Sequence, residues 1–326
     1  PIGEHFEFSL RDLAAQAIHA ALQDADITRV DGLFAGNMLS GLLTRQENLG
    51  VLIADWAGLR HIEAYKIEAA CGSGAAALRA AVIAVSSGEM ESALAVGVEK
   101  MTETKGAQTT SALATAADAD YETAQGVSFV ALNALVMQRY LFTYGWQHSD
   151  FAPFSINAHA NAVHNPNARL AQPITQSEYE KARMIATPIN LLDASPIGDG
   201  AAAVVVVPAQ QARKLLPSNR LAIIAASASA TDRLAVHDRQ DPLWLTAAFQ
   251  SARKAYRQAG LEPQDIDIFE LHDAFSIMSA LSLEACGFAE RGQAPSLGLE
   301  GDIQLNGRIP ITTLGGLKAR GHPVGA

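Results

Sequence analysis

The sequence predicts an α/β protein with two related halves, and three observations carry that expectation. The runs ALAVGVE at 93–99 and AAAVVVVPA at 201–209 are apolar almost throughout, the pattern of strands covered on both faces. Segments with apolar residues at helical spacing alternate with such runs, which is the α/β order. A succession of helix, short linker, aspartate and strand occurs twice, with Asp31 and Asp267 in matching places, and reads as an internal duplication.

Taken in order, SLRDLAAQAIHAALQ at 9–23 is a helix capped by Ser9, and VDGLFAGN at 30–37 is the short buried strand after it. A strand around 64–68 leads to a helix starting near Gly74, whose alanines suit close packing. Residues 103–190 differ: they are rich in Thr, Asn, Gln and aromatic residues, include SINAHANAVHNPNARL with weak sheet character, and read as an insertion that shapes specificity. SPIGDGAAAVVVV at 195–207 is a tight turn feeding a buried strand. The second copy follows, with a helix at 245–261 (LTAAFQSARKAYRQAGL) and a strand at 265–273 (DIDIFELHD), then a helix in DAFSIMSALSLEACG. The expected organisation is a first half at 1–102, an inserted region at 103–190, a return to the first half at 191–215 and a second half at 216–326.

A chain of 326 residues that is 49% hydrophobic has ample material for a large core. Its net charge of -10 argues against nucleic acid or an anionic membrane as the main partner. Two cysteines, Cys71 and Cys286, make no disulfide framework, and no Cys/His spacing suggests a metal site. The start, PIGEHFEFSL, lacks the regions of a signal peptide, and no apolar run approaches a membrane span. A soluble protein of the reducing cytoplasm is expected.

Three stretches offer chemistry. In EAACGSGAAALRAAVIAV, Cys71 precedes a helix; it reads either as a small buried hydrophobe or as a thiolate favoured by the helix amides, with Gly72 and Gly74 letting those amides approach a ligand. In FELHDAF, His272 ends a strand where open α/β sheets present ligands, or it is structural with Asp273 capping the next helix. In GGLKARGHPVGA, His322 lies in a glycine-rich loop that can hold backbone beside a ligand or form a mobile loop; the stretch is not a P-loop. Cys286 falls in a helical pattern and reads as structural, and His159 and His164, five apart, receive no role.

Together, EAACGSGAAALRAA, ELHDAF and GGLKARGHPVGA, supported by GVEKMTE, SPIGDGAAAVVV and GNMLSG, resemble the thiolase family across nearly the whole chain. The HD pair at 272–273 is similar to the sterol-carrier-protein-2 type and the related archaeal and bacterial branch. The resemblance implies a thiolase-like αβαβα layering in which the central helices of two βαβ-rich halves pack together between sheets. It implies Cys71 as nucleophile, His322 as its base, and His322 with His272 as donors to an enolate oxygen. A coenzyme A thioester is then the substrate, no separate cofactor is needed, and the implied activity is acyl transfer in lipid metabolism. Arg233 and His237 in SATDRLAVHDR are candidates for lining the way in for coenzyme A, and Gly316 is a further ligand-contact candidate. A homodimer or larger homo-oligomer is implied, and a small OB-fold, zinc-ribbon companion is often found in this branch.

The sequence departs from the pattern in two ways. The position where the sterol-carrier type carries a second cysteine is Ala274, so His272 or His322 would take over that proton transfer, or the reaction differs from plain thiolysis. The resemblance also expects further elements beyond GHPVGA and an earlier first strand, so the chain reads as a shortened form of a longer protein. The leading expectation is thiolysis of a 3-ketoacyl-CoA or its reverse, with an aldolase or lyase acting on CoA-linked substrates, or an idle acyl-CoA-binding subunit, as alternatives.

Overall fold

The computed structural model describes residues 1–217 and 220–326. Contacts divide the chain into two units. One, the sheet unit, comprises Ile2–Ala112, Ile197–Ser227 and Pro323–Ala326; the other, the helical unit, comprises Leu113–Pro196 and Ala228–His322 with Pro1.

The sheet unit begins with α1 (Leu10–Asp24), and Ser9 caps it as expected: its hydroxyl accepts from the Asp12 amide, and the Asp12 carboxylate answers with a bond from the Ser9 amide. Then follow β1 (Gly32–Gly36), α2 (Leu49–Trp56), β2 (Glu63–Ile67), α3 (Ser73–Ser86), β3 (Ala93–Glu99) and α4 (Gly106–Ala114). The strand order is β2-β1-β3 and then the strand Gly200–Val206, with β1 parallel to both β2 and β3 and the last pair antiparallel.

Alternation along the strands sends side chains to two cores. Leu33, Ala35, Leu94, Val96 and Val98 pack with α1 and α2 on one face. Phe34, Ala93 and Ala95 pack with Ala77, Ala81 and Val85 of α3 on the other. The alanines of α3 therefore serve close contact with the sheet, at every fourth residue. β1 and α3 meet closely at Gly36, where an added Cβ would lie 2.5 Å from the Ser73 carbonyl oxygen and 2.6 Å from the Gly74 amide. Gly36→Ala is expected to force the first turn of α3 outward and cost about 1–3 kcal/mol by overpacking, read as a lowered melting temperature. An unchanged melting temperature would show that this contact is slack.

The helical unit contains α5 (Phe129–Tyr144), α6 (Ala152–Ala162), α7 (Gln176–Lys181) and the hairpin of β4 (Met184–Ala186) and β5 (Ile189–Asn190). The chain returns to the sheet unit for β6 (Gly200–Val206) and α8 (Ala209–Leu215). It then adds α9 (Thr246–Ala259), α10 (Ser276–Ala285), α11 (Ala294–Leu299) and α12 (Gly316–Arg320) to the helical unit. Tyr140, Phe151, Phe154, Ile277 and Leu281 form its core.

Three expectations need correction. The second strand, 265–273, is extended chain with a single bridge from Phe269 to Ile311, because pattern alone makes no strand where a continuous neighbour is missing. β6 is half-exposed rather than fully buried, since it is the antiparallel edge of its sheet. SINAHANAVHNPNARL supplies most of the helix α6, whose buried asparagines are satisfied across the unit: Asn157 and Asn161 both donate to the Ile311 carbonyl, at 3.1 and 3.3 Å.

Candidate active site

In the sheet unit, the turn from β2 into α3 presents Cys71, half-buried. Ala70 before it takes the left-handed conformation, φ 48°, which costs an L residue on the order of 1 kcal/mol and needs support. Ser73 supplies that support: its hydroxyl donates to the Ala70 carbonyl at 2.6 Å and accepts from the Ala69 amide at 3.0 Å. The N-cap of α3 is Gly72, which offers no side-chain acceptor. The first helix amides are left uncapped by a side chain, a suitable donor set for a developing oxyanion.

The thiol itself is not the thiolate that a helix end would favour. Burial first, and the Glu99 carboxylate second, push Cys71 up to about 11, so it rests as a neutral thiol at pH 7.

Glu99 is the site residue that sequence reasoning missed, although a carboxylate closing an otherwise apolar buried strand was a visible signal. It is fully buried. It accepts from the amide of Asn37 at 2.7 Å and from the Met38 and Leu39 backbone amides at 2.9 and 3.2 Å, which fixes the segment after β1. Burial raises it to about 7 in spite of those bonds and the Lys66 charge.

The sign of the linkage follows from that direction. The fold prefers the protonated acid, so this stabilisation is complete below the ordinary value of 4.5 and is lost as pH rises through about 7. Glu99→Gln, a mimic of the acid form, is expected to flatten the fall in melting temperature between those pH values. It should also raise the alkylation rate of Cys71 by iodoacetamide at pH 8 by at least about threefold, because thiolate fraction changes tenfold per pKa unit. A wild-type alkylation profile in the variant would separate Glu99 from the thiol.

In the helical unit, His272 and His322 come together, with ring centroids 5.2 Å apart at 74°. His322 is buried, its amide donates to the Pro196 carbonyl at 3.0 Å, and neither ring nitrogen has a hydrogen-bond partner among the described residues. Burial, then the neighbouring His272 and Arg320, hold it at about 3. His272 keeps an open edge, yet loss of water around the rest of the ring lowers it; Asp273 opposes and Lys318 reinforces that direction. At neutral pH both rings are uncharged, and each has one nitrogen to accept a proton and one to donate a hydrogen bond.

Asp273 does not cap the helix after it: the N-cap of α10 is Phe275, with no side-chain cap, and the Asp273 carboxylate instead accepts from the Leu317 amide at 2.6 Å. Asn161 and Asn157 of α6 grip the chain at 311–312, the lead-in to that loop. Gly316, φ 53°, is enclosed by protein, since a Cβ would lie 2.4 Å from Asp273 Oδ2. Arg233 and His237 share an exposed segment, where Arg233 donates to the Asp238 carbonyl at 2.8 Å and His237 lies 3.9 Å from Glu122. Cys286 closes α10 and lines an apolar hollow of about 310 Å³ with Tyr256 and Phe288. His159 is bonded through Nδ1 to the Gln172 carbonyl, which leaves it structural.

Comparison with known proteins fixes the class. The family model described as "Thiolase, N-terminal domain" matches residues 1–210 and "Thiolase C-terminal domain-like" matches 228–326; the chain belongs to the thiolase family and is an enzyme of that type. Its relatives include the acetyl-CoA acetyltransferase of Methanothermobacter thermautotrophicus, 41% identical over 326 residues, covering 99% of this chain and 84% of that one. The acetyl-CoA acetyltransferase of Methanocaldococcus jannaschii is 38% identical over 328 residues, covering 99% and 83%. A solved structure described as "Ltp2-ChsH2(DUF35) aldolase" superposes with a TM-score of 0.84 at 24% identity, covering 99% of this chain and 83% of that chain, and shows the shared fold. Among the described residues, no helix is long and apolar enough to cross a membrane.

Proposed function

We propose that the protein is an acetyl-CoA C-acyltransferase, which cleaves 3-ketoacyl-CoA with coenzyme A or runs the reverse condensation of acetyl-CoA through an acyl group on Cys71. The observation that carries this reading is the identity of 41% and 38%, over 99% of the chain, to two acetyl-CoA acetyltransferases. The chemistry of the site agrees with it. Cys71 Sγ attacks the thioester carbonyl while His322 takes the thiol proton; the carbonyl oxygen becomes an oxyanion held by backbone amides at the start of α3. The tetrahedral adduct collapses, the C–S bond to coenzyme A breaks, and the departing sulfur recovers the proton from His322. In condensation, His272 or His322 takes a proton from the α-carbon of a second acetyl-CoA while the pair donates to the enolate oxygen. The α-carbon attacks the acyl-enzyme carbonyl, the C–S bond to Cys71 breaks, and the leaving sulfur recovers that proton.

In this mechanism a neutral Cys71 thiol and a neutral His322 make proton transfer unfavourable before the C–S bond forms, so transfer and attack are coupled.

Arg233 and His237 are the basic groups assigned to coenzyme A, supported by their shared exposed segment. Gly316 belongs with the scaffold, given its contacts with Asp273 and Thr312. A homodimer is part of the reading, supported by the edge position of β2 with Tyr65 exposed, as are an OB-fold, zinc-ribbon companion, a cytoplasmic setting and a place in lipid metabolism. The coenzyme A thioester serves as substrate, with no further cofactor. The test is incubation with acetyl-CoA, an acid quench and peptide mass mapping. An acetyl group confined to the Cys71 peptide is expected, and folded protein that takes none from acetyl-CoA or longer acyl-CoAs sinks the reading.

A further inference from the structure

We propose that Lys318 and Asp273 are a positioning pair that fixes the spacing and mutual angle of the His272 and His322 rings. The inference deepens the thiolase reading and rests on it. Asp273 follows His272 directly, so one constraint places both. Its carboxylate reaches across 44 positions of sequence, with Oδ1 accepting the Leu317 amide at 2.6 Å and Oδ2 lying 3.4 Å from the Lys318 amide. The side chain of Lys318 then returns to the same carboxylate, with Nζ 3.6 Å from Oδ2. Nζ also donates to Ser279 Oγ on α10 at 3.3 Å.

Lys318 is 1% exposed and Asp273 0%. A lysine sits this deep only when paired, and a buried pair gives little or no more stability than apolar residues of similar volume. Its distinctive contribution is geometric.

His322 needs such an outside constraint. Its ring nitrogens have no partners among the described residues, so no hydrogen bond of its own orients the ring. Ring placement is inherited from a backbone segment tied at one end to Asp273 and at the other to the Pro196 carbonyl. Gly316 is part of the device, because any Cβ there would displace the carboxylate.

The charges around the rings make the pair testable beyond structure. His272 faces Asp273, Lys318 and His322; His322 faces Arg320; Lys318 faces Asp193 and His159; and Asp193 is bonded by His148 and Tyr179. With Lys318 neutral, the Asp273 charge reaches His272 unopposed and that ring takes up its proton at higher pH.

The experiment compares the wild type, Lys318→Met and, as a gentler variant, Ser279→Ala, in the full chain. It reads thiolysis of acetoacetyl-CoA and the titration of the imidazole protons by NMR. Lys318→Met is expected to lower kcat about 10- to 100-fold, with KM changed less than about threefold, and Ser279→Ala to lower kcat a few fold, as small displacements of reacting groups do. The His272 midpoint should rise in Lys318→Met. Wild-type kcat and an unmoved midpoint in folded variants overturn the proposal, as does a loss that only tracks the folded fraction. Should Lys318→Met fail to fold, an unaltered kcat in Ser279→Ala overturns it. A wild-type protein that neither turns over nor takes an acetyl group defeats the thiolase reading, and the titration still decides the pair.

Discussion

Cys71→Ala is expected to abolish acyl transfer, with a fall in kcat on the order of 10⁴–10⁶-fold, the scale seen when a covalent nucleophile is removed. The loss should lie in kcat, because the methyl side chain keeps the turn and leaves the helix amides in place. Ser73, which holds the strained Ala70, is untouched, so the melting temperature should stay within a few degrees. The measurement is steady-state thiolysis of acetoacetyl-CoA with purified, folded variant. Turnover surviving at more than about 1% of wild type would show that bond cleavage proceeds without an acyl-enzyme, which is the lyase alternative.

His322→Asn and His272→Asn should fail differently, and the difference is the sharper expectation. His322 serves both half-reactions in the proposed mechanism, so its loss should slow acetylation of Cys71 and the condensation step alike, by about 10²–10⁴-fold as for a general base. His272 touches only the enolate, so His272→Asn should keep a near-normal acetylation burst and lose the carbon–carbon step. Rapid-quench acetylation, set beside exchange of the acetyl-CoA α-protons in D₂O, separates the two. Equal damage to both steps in both variants would mean that the rings act as one structural unit rather than as distinct donors.

Local rules made parts of this molecule legible in its sequence. α1 was readable because apolar positions recur at helical spacing behind Ser9, and β3 because buried positions leave an apolar run. The start of α3, expected near Gly74, falls one residue earlier at Ser73. The thiolase resemblance supplied the joint significance of Cys71, His272 and His322, which no single stretch carried.

What stayed hidden depends on partners far along the chain. The 265–273 segment has a strand's composition but pairs at only one point, with Ile268 left 55% exposed. The part Asp273 plays is set 44 residues away, and a lysine in a glycine-rich loop gives no hint that it will be buried. α6 is too polar to announce a buried helix, because its asparagines are paid for by carbonyls at 303 and 311. The thiol is raised first by burial and then by Glu99, 28 positions downstream by numbering, and spacing alone reveals neither cause.

The seclusion of Cys71 beside Glu99 also sets how the protein meets oxidants. Peroxide reacts with thiolate, and a group near 11 exposes only about one part in 10⁴ of it at pH 7. Sulfenic acid should therefore form slowly at the residue on which turnover depends, and disulfide exchange with glutathione should be just as sluggish.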